Sequence, residues 1–377
     1  MSIIQKTVFF LGAGFSKEAG GPIQNELITT ILSDEFKDHI NDDSSGVTAL
    51  NEFKKFIKNE MCFKDSHYKN IALEDVFTPI DRCIADGRTL GTYSNKQLVN
   101  FRENVHYLLA KAIQFRVDNK TGNSKYIEDF AEYINSIAKR RMEHFYEDNI
   151  AVLTTNWDII LDNQLNKIAR RETDLICNGN KYNGPIAVID YCCYISSLEA
   201  DMNIKPGLFA LGRKGYNIKY LKLHGSMNWL HCPCCQRLYV KFDEKTMFAK
   251  KHCKHCAKNF SLRNDCSSIQ LRGNLLLPTF IKDLRNIQLQ LIWQNAGIEL
   301  SEATKVVFIG YSLPAADFEI RQLLSRFIRK NAQIEVVIYP SHYATAEEQR
   351  YKNFFGDRQI TVKRMTVPDY ISSITNK

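Results

Sequence analysis

The chain has 377 residues, of which 44% are hydrophobic and 24% are charged. This length and composition exclude a disordered chain and a small disulfide-stapled domain, and they allow one large core or two smaller ones. The formal net charge is +8 at pH 7. Such a mild basic excess permits contact with nucleic acid or an anionic cofactor but requires neither.

The first fifteen residues contain a short apolar stretch and one lysine but no signal-peptide cleavage site, and they predict a buried strand. No uninterrupted apolar run reaches the roughly 18 residues that a membrane span needs. Four of the eleven cysteines are paired at metal-ligand spacing, which favours a reducing compartment. We therefore expect a soluble, cytoplasmic protein with no membrane partner.

Five short apolar runs are typical of buried β-strands, and each is followed by a polar or glycine-bearing turn. They are Thr7–Leu11, Ile150–Thr154, Tyr220–Leu223, Val306–Ile309 and Ile334–Ile338. Helical segments lie between these runs, which predicts an α/β fold with a Rossmann-like parallel sheet and helices on both faces. Ligands of such sheets bind at the carboxyl ends of the strands.

About 140 residues separate the first two predicted strands, whereas a single crossover needs only a dozen or so. A helical insertion at about 23–148 is therefore predicted, and two segments in it repeat apolar residues at helical spacing. The two sets are Leu98, Phe101, Val105, Leu108, Leu109 and Ala112, and Tyr126, Phe130, Tyr133, Ile134, Ile137 and Ala138. We predict one sheet domain from residues 1–231 and 267–377, with a small module at 232–266.

Gly12-Ala13-Gly14 follows the first predicted strand. Neither glycine has a side chain, so backbone N–H groups here can approach a pyrophosphate closely. The full Gly-x-Gly-x-x-Gly fingerprint is incomplete, because Lys17 occupies the position of its third glycine. By itself the motif fits either a phosphate-binding loop or a plain tight turn.

Asn156 and Asp158 follow the second predicted strand, and His224 lies at the end of the third. Asn and Asp are also common at turns and helix N-caps, and many strand-end histidines are only satisfied hydrogen-bonding groups. However, all three side chains would lie at the carboxyl ends of strands in one sheet. A neutral imidazole can also take a proton from water or from a ribose hydroxyl. These three residues are the candidate catalytic set.

Four cysteines have the C-x2-C-x17-C-x2-C spacing of a zinc ribbon, and they are Cys232, Cys235, Cys253 and Cys256. Four thiolates complete a tetrahedral shell and leave no position for water, which predicts a structural zinc. Cys234 and His255 are alternative ligands.

The cysteine module is also basic and aromatic, which permits contact with nucleic acid, although a solvated basic face is the simpler interpretation. Its basic residues are Arg237, Lys241, Lys245, Lys250, Lys251, Lys254, Lys258 and Arg263, interleaved with Tyr239, Phe242, Phe248 and Phe260.

The segment from Ile309 to Asp317 joins the fourth predicted strand to a predicted helix. Pro314 suits the first turn of that helix. Gly310 and Ser312 either contact a nucleotide or simply form the turn.

Taken in order, these motifs resemble those of the sirtuin-like superfamily. They are Gly-Ala-Gly-x-Ser at 12–16, Thr-x-Asn-x-Asp at 154–158, His-Gly at 224–225 before a four-cysteine module, and Gly-x-Ser at 310–312. The resemblance implies that Asn156 orients the nicotinamide ribose or the attacking water, that Asp158 holds the nicotinamide amide, and that His224 is the general base. It also implies a set of NAD-binding residues on the phosphate, ribose and adenosine sides. This set comprises Gly12, Ala13, Gly14, Phe15, Ser16, Thr155, Gly310 and Ser312.

Two departures separate this chain from a typical sirtuin deacylase. The Gly-Ile-Pro-Asp-Phe-Arg segment after the first loop is replaced by Gly-Gly-Pro-Ile-Gln-Asn at 20–25. The Phe-Gly-Glu segment that helps form an acyl-peptide channel is replaced near Leu277-Pro278-Thr279-Phe280. In addition, Gly-Tyr-Ser-Leu-Pro-x-x-Asp at 310–317 resembles the sirtuin-like domains of bacterial antiphage systems, which hydrolyse NAD.

The resemblance thus implies an NAD glycohydrolase that forms ADP-ribose and nicotinamide and depletes NAD in antiphage defence once a partner activates it. Similar family members form oligomers and act with a HerA-type ATPase or a short Argonaute, through which nucleic acid would be contacted. One alternative is an NAD-dependent protein deacylase or ADP-ribosyltransferase. Another is a non-catalytic NAD-sensing or DNA-associated assembly subunit.

Overall fold

The structure is a computed structural model that describes residues 5–64, 66, 68, 71–119, 122–144, 146–177, 186–198, 203–204, 215–242, 251–259 and 270–376, without the side chains of 174–177 and 203–204. The strands in chain order are β1 (Thr7–Leu11), β2 (Ile150–Thr154), β3 (Ala187–Asp190), β4 (Ile195–Ser197), β5 (Asn203–Ile204), β6 (Tyr216–Lys222), β7 (Gly225–His231), β8 (Leu238–Val240), β9 (Arg272–Leu275), β10 (Lys305–Ile309), β11 (Gln333–Ile338) and β12 (Ile360–Arg364). The α-helices are α1 (Gln24–Leu32), α2 (Asp34–His39), α3 (Ser44–Asn59), α4 (Leu73–Ala85), α5 (Asn95–Asp118), α6 (Lys125–Lys139), α7 (Ile160–Cys177), α8 (Lys254–Asn259), α9 (Ile287–Glu302), α10 (Phe318–Phe327), α11 (Ala344–Phe355) and α12 (Val367–Thr375).

A seven-stranded parallel sheet in the order β12-β11-β10-β1-β2-β6-β3 forms the centre of the molecule. All five predicted strands belong to it, and the predicted α/β fold class is confirmed. The bounds of β1 and β2 agree with the prediction, whereas β6 begins earlier and ends at Lys222. His224 lies in the turn between β6 and β7, two residues after the end of β6.

The register brings the carboxyl ends of four strands together. Leu11 pairs with Ile309 on one side and Thr154 on the other, and Thr154 pairs with Lys222. β1 is the point at which the strand order reverses, because later strands add first on the β2 side and then on the β10 side. Open α/β sheets bind their ligands at this kind of switch point.

The predicted helical insertion is present as α1 to α6, and the two predicted periodic segments lie in α5 and α6. Most of it has its own buried core, which includes Phe53, Phe56, Phe77 and Phe101. The last helix, α6, instead covers the main sheet, since the ring of Phe130 packs edge-on against Phe9 at 5.2 Å. The division of the chain into domains stays a prediction.

A second sheet, in the order β5-β4-β8-β7-β9, was not predicted from the sequence. Four of its five strands have four residues or fewer, and Cys232 directly follows the longer strand β7. The prediction that Pro314 occupies the first turn of the following helix is wrong, because α10 begins at Phe318.

In the part of the chain that the structure describes, no helix is long and apolar enough to span a bilayer.

Candidate functional site

Ser16, Asn156 and Asp158 meet at the carboxyl ends of β1 and β2. Ser16 ends the short 3-10 helix Ala13–Ser16 that follows β1. The side-chain amide of Asn156 donates a hydrogen bond to the Ser16 hydroxyl at 3.1 Å, and Ser16 hydrogen-bonds the Asp158 carboxylate. The N–H of Asn156 donates to the Thr154 hydroxyl at 3.0 Å, which fixes the chain as it leaves β2. Three of the predicted site residues are therefore linked in one network.

The side-chain carbonyl oxygen of Asn156 is buried and has no hydrogen-bond partner among the described residues. Asn156 is 6% exposed, and no described residue donates to its Oδ1. Buried acceptors in folded proteins almost always have a partner. The atom is therefore suited to accept a hydrogen bond from a bound ligand or an ordered water.

Asp158 has two structural attachments in addition to Ser16. Its Oδ1 accepts the N–H of Ile160 at 3.1 Å at the start of α7, and its backbone carbonyl accepts the Lys222 ammonium at 2.6 Å. Burial raises the pKa of Asp158 above its usual value. The positive charge of Lys222 and the hydrogen bonds that the carboxylate accepts from the Ile160 N–H and the Ser16 hydroxyl oppose that rise. The carboxyl is thus held in a defined place beside a fixed positive charge.

Lys222 and Asp162 form a fully buried ion pair beneath the site, which sequence reasoning missed. Their charged atoms are 2.8 Å apart, and both side chains are 0% exposed. Asp162 also accepts hydrogen bonds from Tyr191 at 2.9 Å and Tyr220 at 3.3 Å. A buried pair of this kind is tolerated only when its remaining bonds are satisfied. The sequence contained one sign of this pair, because Lys222 interrupts the apolar run that predicts β6.

His224 is held in the turn after β6 by bonds to other segments. Its carbonyl accepts the N–H of Leu276 at 2.9 Å, and the carbonyl of Leu276 accepts the indole N–H of Trp157 at 3.1 Å. The imidazole is 5% exposed, and its Nε2 lies 3.6 Å from Oδ1 of Asp317. The following residue, Gly225, has φ +74°, and a Cβ there would lie 1.9 Å from the Asn274 carbonyl oxygen. Only glycine therefore permits this turn.

Burial lowers the pKa of His224 to about 4, although the nearby carboxylate of Asp317 opposes the effect. The folded chain therefore takes up this proton at lower pH than the unfolded chain, whose histidine titrates near pH 6.5. This difference in pKa between the folded and unfolded chain lowers the free energy of unfolding as the pH falls below 6.5. The loss is complete below pH 4, where it amounts to roughly 3 kcal/mol.

We expect the His224→Gln variant to lose less unfolding free energy than the wild type when the pH falls from 7.5 to 4.5. Urea unfolding at both pH values measures this loss. The matched control is His342→Gln, because His342 is exposed on the surface and should leave the wild-type acid dependence intact. Parallel losses in the wild type and His224→Gln would contradict the prediction.

Three glycines pack the loops after β1 and β10 against each other. A Cβ on Gly12 would lie 2.5 Å from the Gly310 carbonyl oxygen, and one on Gly14 would lie 2.8 Å from the Gly310 Cα. The N–H of Gly12 donates to the Ile309 carbonyl at 3.0 Å, and the N–H of Gly14 donates to the Gly310 carbonyl at 2.9 Å. Within the first loop, the N–H of Phe15 donates to the Gly12 carbonyl at 2.9 Å. Close loop packing therefore accounts for the glycines, and those three amides are occupied in this structure. Phosphate binding by this loop stays a prediction.

The Gly310→Ala variant should lose at least about 3 kcal/mol of unfolding free energy, because a left-handed backbone and a backbone clash act together. Gly310 has φ +62°, and its Cβ would lie 2.2 Å from the Phe15 nitrogen. Gly87 offers the control, since its φ is +68° and nothing lies within 4 Å of its Cβ position. Gly87→Ala should lose only about 1 kcal/mol. Equal losses in denaturant titrations would show that the loop contact contributes nothing.

The other predicted NAD-binding residues have less distinctive surroundings. The ring of Phe15 is buried in the core at 5.2 Å from that of Phe130. The N–H of Thr155 donates to the Leu11 carbonyl at 3.1 Å. Ser312 is exposed, and its carbonyl accepts a hydrogen bond from Arg350 at 3.1 Å. Their roles toward NAD stay predictions.

The four predicted metal ligands do converge. Their sulfur atoms all lie within 4.8 Å of one another. The Cys232–Cys256 sulfurs are 3.7 Å apart, and the Cys235–Cys253 sulfurs are 3.6 Å apart. A tetrahedral zinc with Zn–S bonds near 2.3 Å requires sulfurs about 3.8 Å apart. The cluster can therefore hold zinc, and neither Cys234 nor His255 is among the converging ligands.

The basic surface of this module is only partly described. Lys245, Lys250, Arg263, Phe248 and Phe260 lie outside the described residues. Contact with nucleic acid stays a prediction.

A groove of about 430 Å³ lies at the opposite, amino-terminal edge of the main sheet. Its lining includes Lys305, Gln333, Glu335 and Arg358. None of the predicted site residues lines it, so it is separate from the site described above.

Comparison with known proteins gives only a distant likeness. No protein-family model and no curated protein matches the sequence. The fold is similar to a Sir2 homologue in complex with NAD, at 13% identity and a TM-score of 0.43, covering 98% of this chain and 88% of that one. It is also similar to a mutant Sir2 homologue with ADP-ribose, at 12% identity and a TM-score of 0.38, covering 98% of this chain and 90% of that one. A third similar structure is a mutant Sir2 with a p53 peptide and NAD, at 13% identity and a TM-score of 0.33, covering 98% of this chain and 92% of that one. These values carry no conclusion about activity, which rests on the site itself.

Proposed function

We propose that this chain is an NAD hydrolase of the sirtuin-like superfamily that cleaves NAD to ADP-ribose and nicotinamide. The observation that carries the proposal is the Ser16–Asn156–Asp158 network at the sheet edge that also holds His224. Within it, the Asn156 Oδ1 atom is buried and without a partner. A buried acceptor at a strand-end crevice is the feature expected where a polar ligand completes the structure.

The reaction needs orientation and electrostatic stabilisation more than covalent chemistry. As the bond between ribose C1′ and the nicotinamide nitrogen breaks, its electron pair leaves with nicotinamide and the ribose gains oxocarbenium character. A water oxygen then bonds to C1′, and one water proton is released. Asn156 would orient the water or a ribose hydroxyl through Oδ1, and Asp158 would hold the nicotinamide amide.

His224 would accept the proton that the water loses. Because its pKa is lowered to about 4, the imidazole is neutral throughout the physiological range. Neutral imidazole is the form that can act as a base. Nicotinamide, ADP-ribose and one proton are then the complete set of products.

The proposal that water rather than an acyl-peptide is the acceptor is supported by the replacement of the Phe-Gly-Glu segment near Leu277-Pro278-Thr279-Phe280. Leu276 is bonded to both His224 and Trp157, and Lys282 is held by Asp317 and Glu319 at 3.1 and 3.3 Å. The segment is thus held at both ends, by the contacts of Leu276 and of Lys282, beside the turn that carries His224.

We further propose a cytoplasmic defence effector that is activated by assembly with copies of itself or with a partner such as a HerA-type ATPase or a short Argonaute. The proposed dependence on activation is supported by the resemblance of Gly-Tyr-Ser-Leu-Pro-x-x-Asp at 310–317 to the sirtuin-like domains of antiphage systems. Any contact with nucleic acid would be made through the partner.

The test is incubation of the purified protein with NAD, alone and with the protein encoded beside it, followed by mass spectrometry of all products. Free nicotinamide and ADP-ribose in equal amounts support hydrolysis. Turnover that depends on an acyl-peptide would instead indicate a deacylase, and a labelled protein would indicate an ADP-ribosyltransferase. NAD binding without turnover, together with salt-dependent retention of DNA, would indicate an assembly subunit.

A further inference from the structure

Asp317 occupies a helix N-cap position without capping its helix. It precedes α10, yet its side chain makes no capping hydrogen bond. Asp is among the best N-cap residues, and a side-chain cap contributes typically about 1 kcal/mol. The carboxylate is directed elsewhere, into a group of buried side chains.

Three groups surround that carboxylate. Its Oδ2 accepts the hydroxyl of Tyr311 at 3.0 Å. Its Oδ1 lies 3.1 Å from the ammonium of Lys282 and 3.6 Å from Nε2 of His224. Among the described residues, no hydrogen-bond partner reaches Nε2, and this atom is fully buried. A buried N–H or nitrogen lone pair without a partner is costly, so the facing carboxylate is its natural complement.

Lys282 keeps this carboxylate in place. Its side chain is 0% exposed and also contacts Glu319 at 3.3 Å and the carbonyls of Ala316 and Thr279 at 3.1 and 3.3 Å. One lysine and two carboxylates leave a formal charge of −1 next to the neutral imidazole. The negative charge of the two carboxylates opposes, without overcoming, the effect of burial on an imidazolium at His224.

We propose that Asp317 is the positioning residue of His224, accepting a hydrogen bond from Nε2–H and thereby leaving Nδ1 as the proton acceptor. The 3.6 Å separation closes to a hydrogen bond with a small movement of either side chain. Fixing one tautomer in this way determines which nitrogen of a histidine can act as a base.

The tautomer is measured directly by long-range ¹H–¹⁵N correlation spectra of the ¹⁵N-histidine-labelled full chain, with His224→Gln to assign the signal. We expect wild-type His224 to be protonated at Nε2 and unprotonated at Nδ1 at pH 7.5. Protonation at Nδ1 in the wild type would overturn the proposal, and this result needs no further variant to fold.

The Asp317→Asn variant should shift His224 toward a mixture of tautomers. Glu319→Gln is the matched control, because Glu319 also pairs with Lys282 but, unlike Asp317, forms no ion pair with His224. It should keep the wild-type tautomer. An unchanged His224 signal in Asp317→Asn, or the same change in both variants, would contradict a specific role of Asp317.

A second measurement rests on the proposed NAD hydrolysis. Asp317→Asn should lower kcat for NAD cleavage by about 10²-fold while KM changes less than about twofold, because a positioning residue acts on the transition state through its histidine. The loss should exceed that of Glu319→Gln. If the wild type cleaves NAD neither alone nor with the protein encoded beside it, the proposed function fails, whereas the tautomer measurement still decides the role of Asp317. A loss confined to KM would contradict positioning.

Discussion

Asn156→Ala and His224→Ala should each lower kcat for NAD cleavage by at least about 10²-fold in the activated protein, since each removes a group that acts in the transition state. Asn156 contributes the buried, unpartnered Oδ1, and its amide also holds the Ser16 hydroxyl. His224 contributes a neutral, buried imidazole. Nicotinamide release under saturating NAD measures both effects.

The matched controls are Asn353→Ala and His342→Ala, because both residues are exposed and lie outside the site. They should retain wild-type turnover. Circular dichroism and thermal melting show whether the two site variants remain folded, and Asn156→Ala should cost only about 1 kcal/mol for its lost hydrogen bond. Turnover within about twofold of wild type in both site variants would rule out the assigned roles.

Cys256→Ser should abolish stoichiometric zinc binding and unfold the cysteine module. Among the described residues of this part of the chain, the apolar cluster around these sulfurs is small, with Leu198, Leu230, Tyr239 and Leu271 as its other buried members. Structural zinc contributes roughly 10 kcal/mol or more of binding free energy in comparable small domains, so its loss should outweigh the packing of these side chains. We expect one zinc per wild-type chain, none in the variant, and a lower melting temperature.

Cys234→Ser is the control for the metal site. Cys234 is exposed and is not one of the four converging ligands. Elemental analysis should find wild-type zinc in this variant. Zinc loss in Cys234→Ser with retention in Cys256→Ser would mean that the ligand set is wrong.

The parts of the fold that depend on local pattern could be predicted from the sequence. The buried runs at Thr7–Leu11 and Ile150–Thr154 have the composition of central parallel strands, and they form strands with the predicted bounds. The spacing of the four cysteines likewise predicted a cluster that the structure assembles. The second sheet was missed because strands such as Ile195–Ser197 are too short to carry a periodic signal.

The supporting side chains of the site could not be predicted in the same way. Asp317 was part of a recognised motif, but only the fold shows that its carboxylate leaves the helix end and faces His224. Lys282 lies in an aperiodic segment, and Lys222 meets Asp162 only when β6 lies beside the start of α7. Each of these contacts joins segments far apart in the chain, so no local pattern records them.

The adjacency of β1 and β10 has a consequence for when the site forms during synthesis. The loops that interlock through Gly14 and Gly310 lie far apart in the sequence, and Asp317 follows the second of them. Contacts of such long sequence separation close large loops and therefore tend to form late in folding. A nascent chain that has not yet released β10 from the ribosome can contain Asn156 and His224 but not the completed site. Synthesis itself thus delays the appearance of the complete site until the chain has been made as far as Asp317.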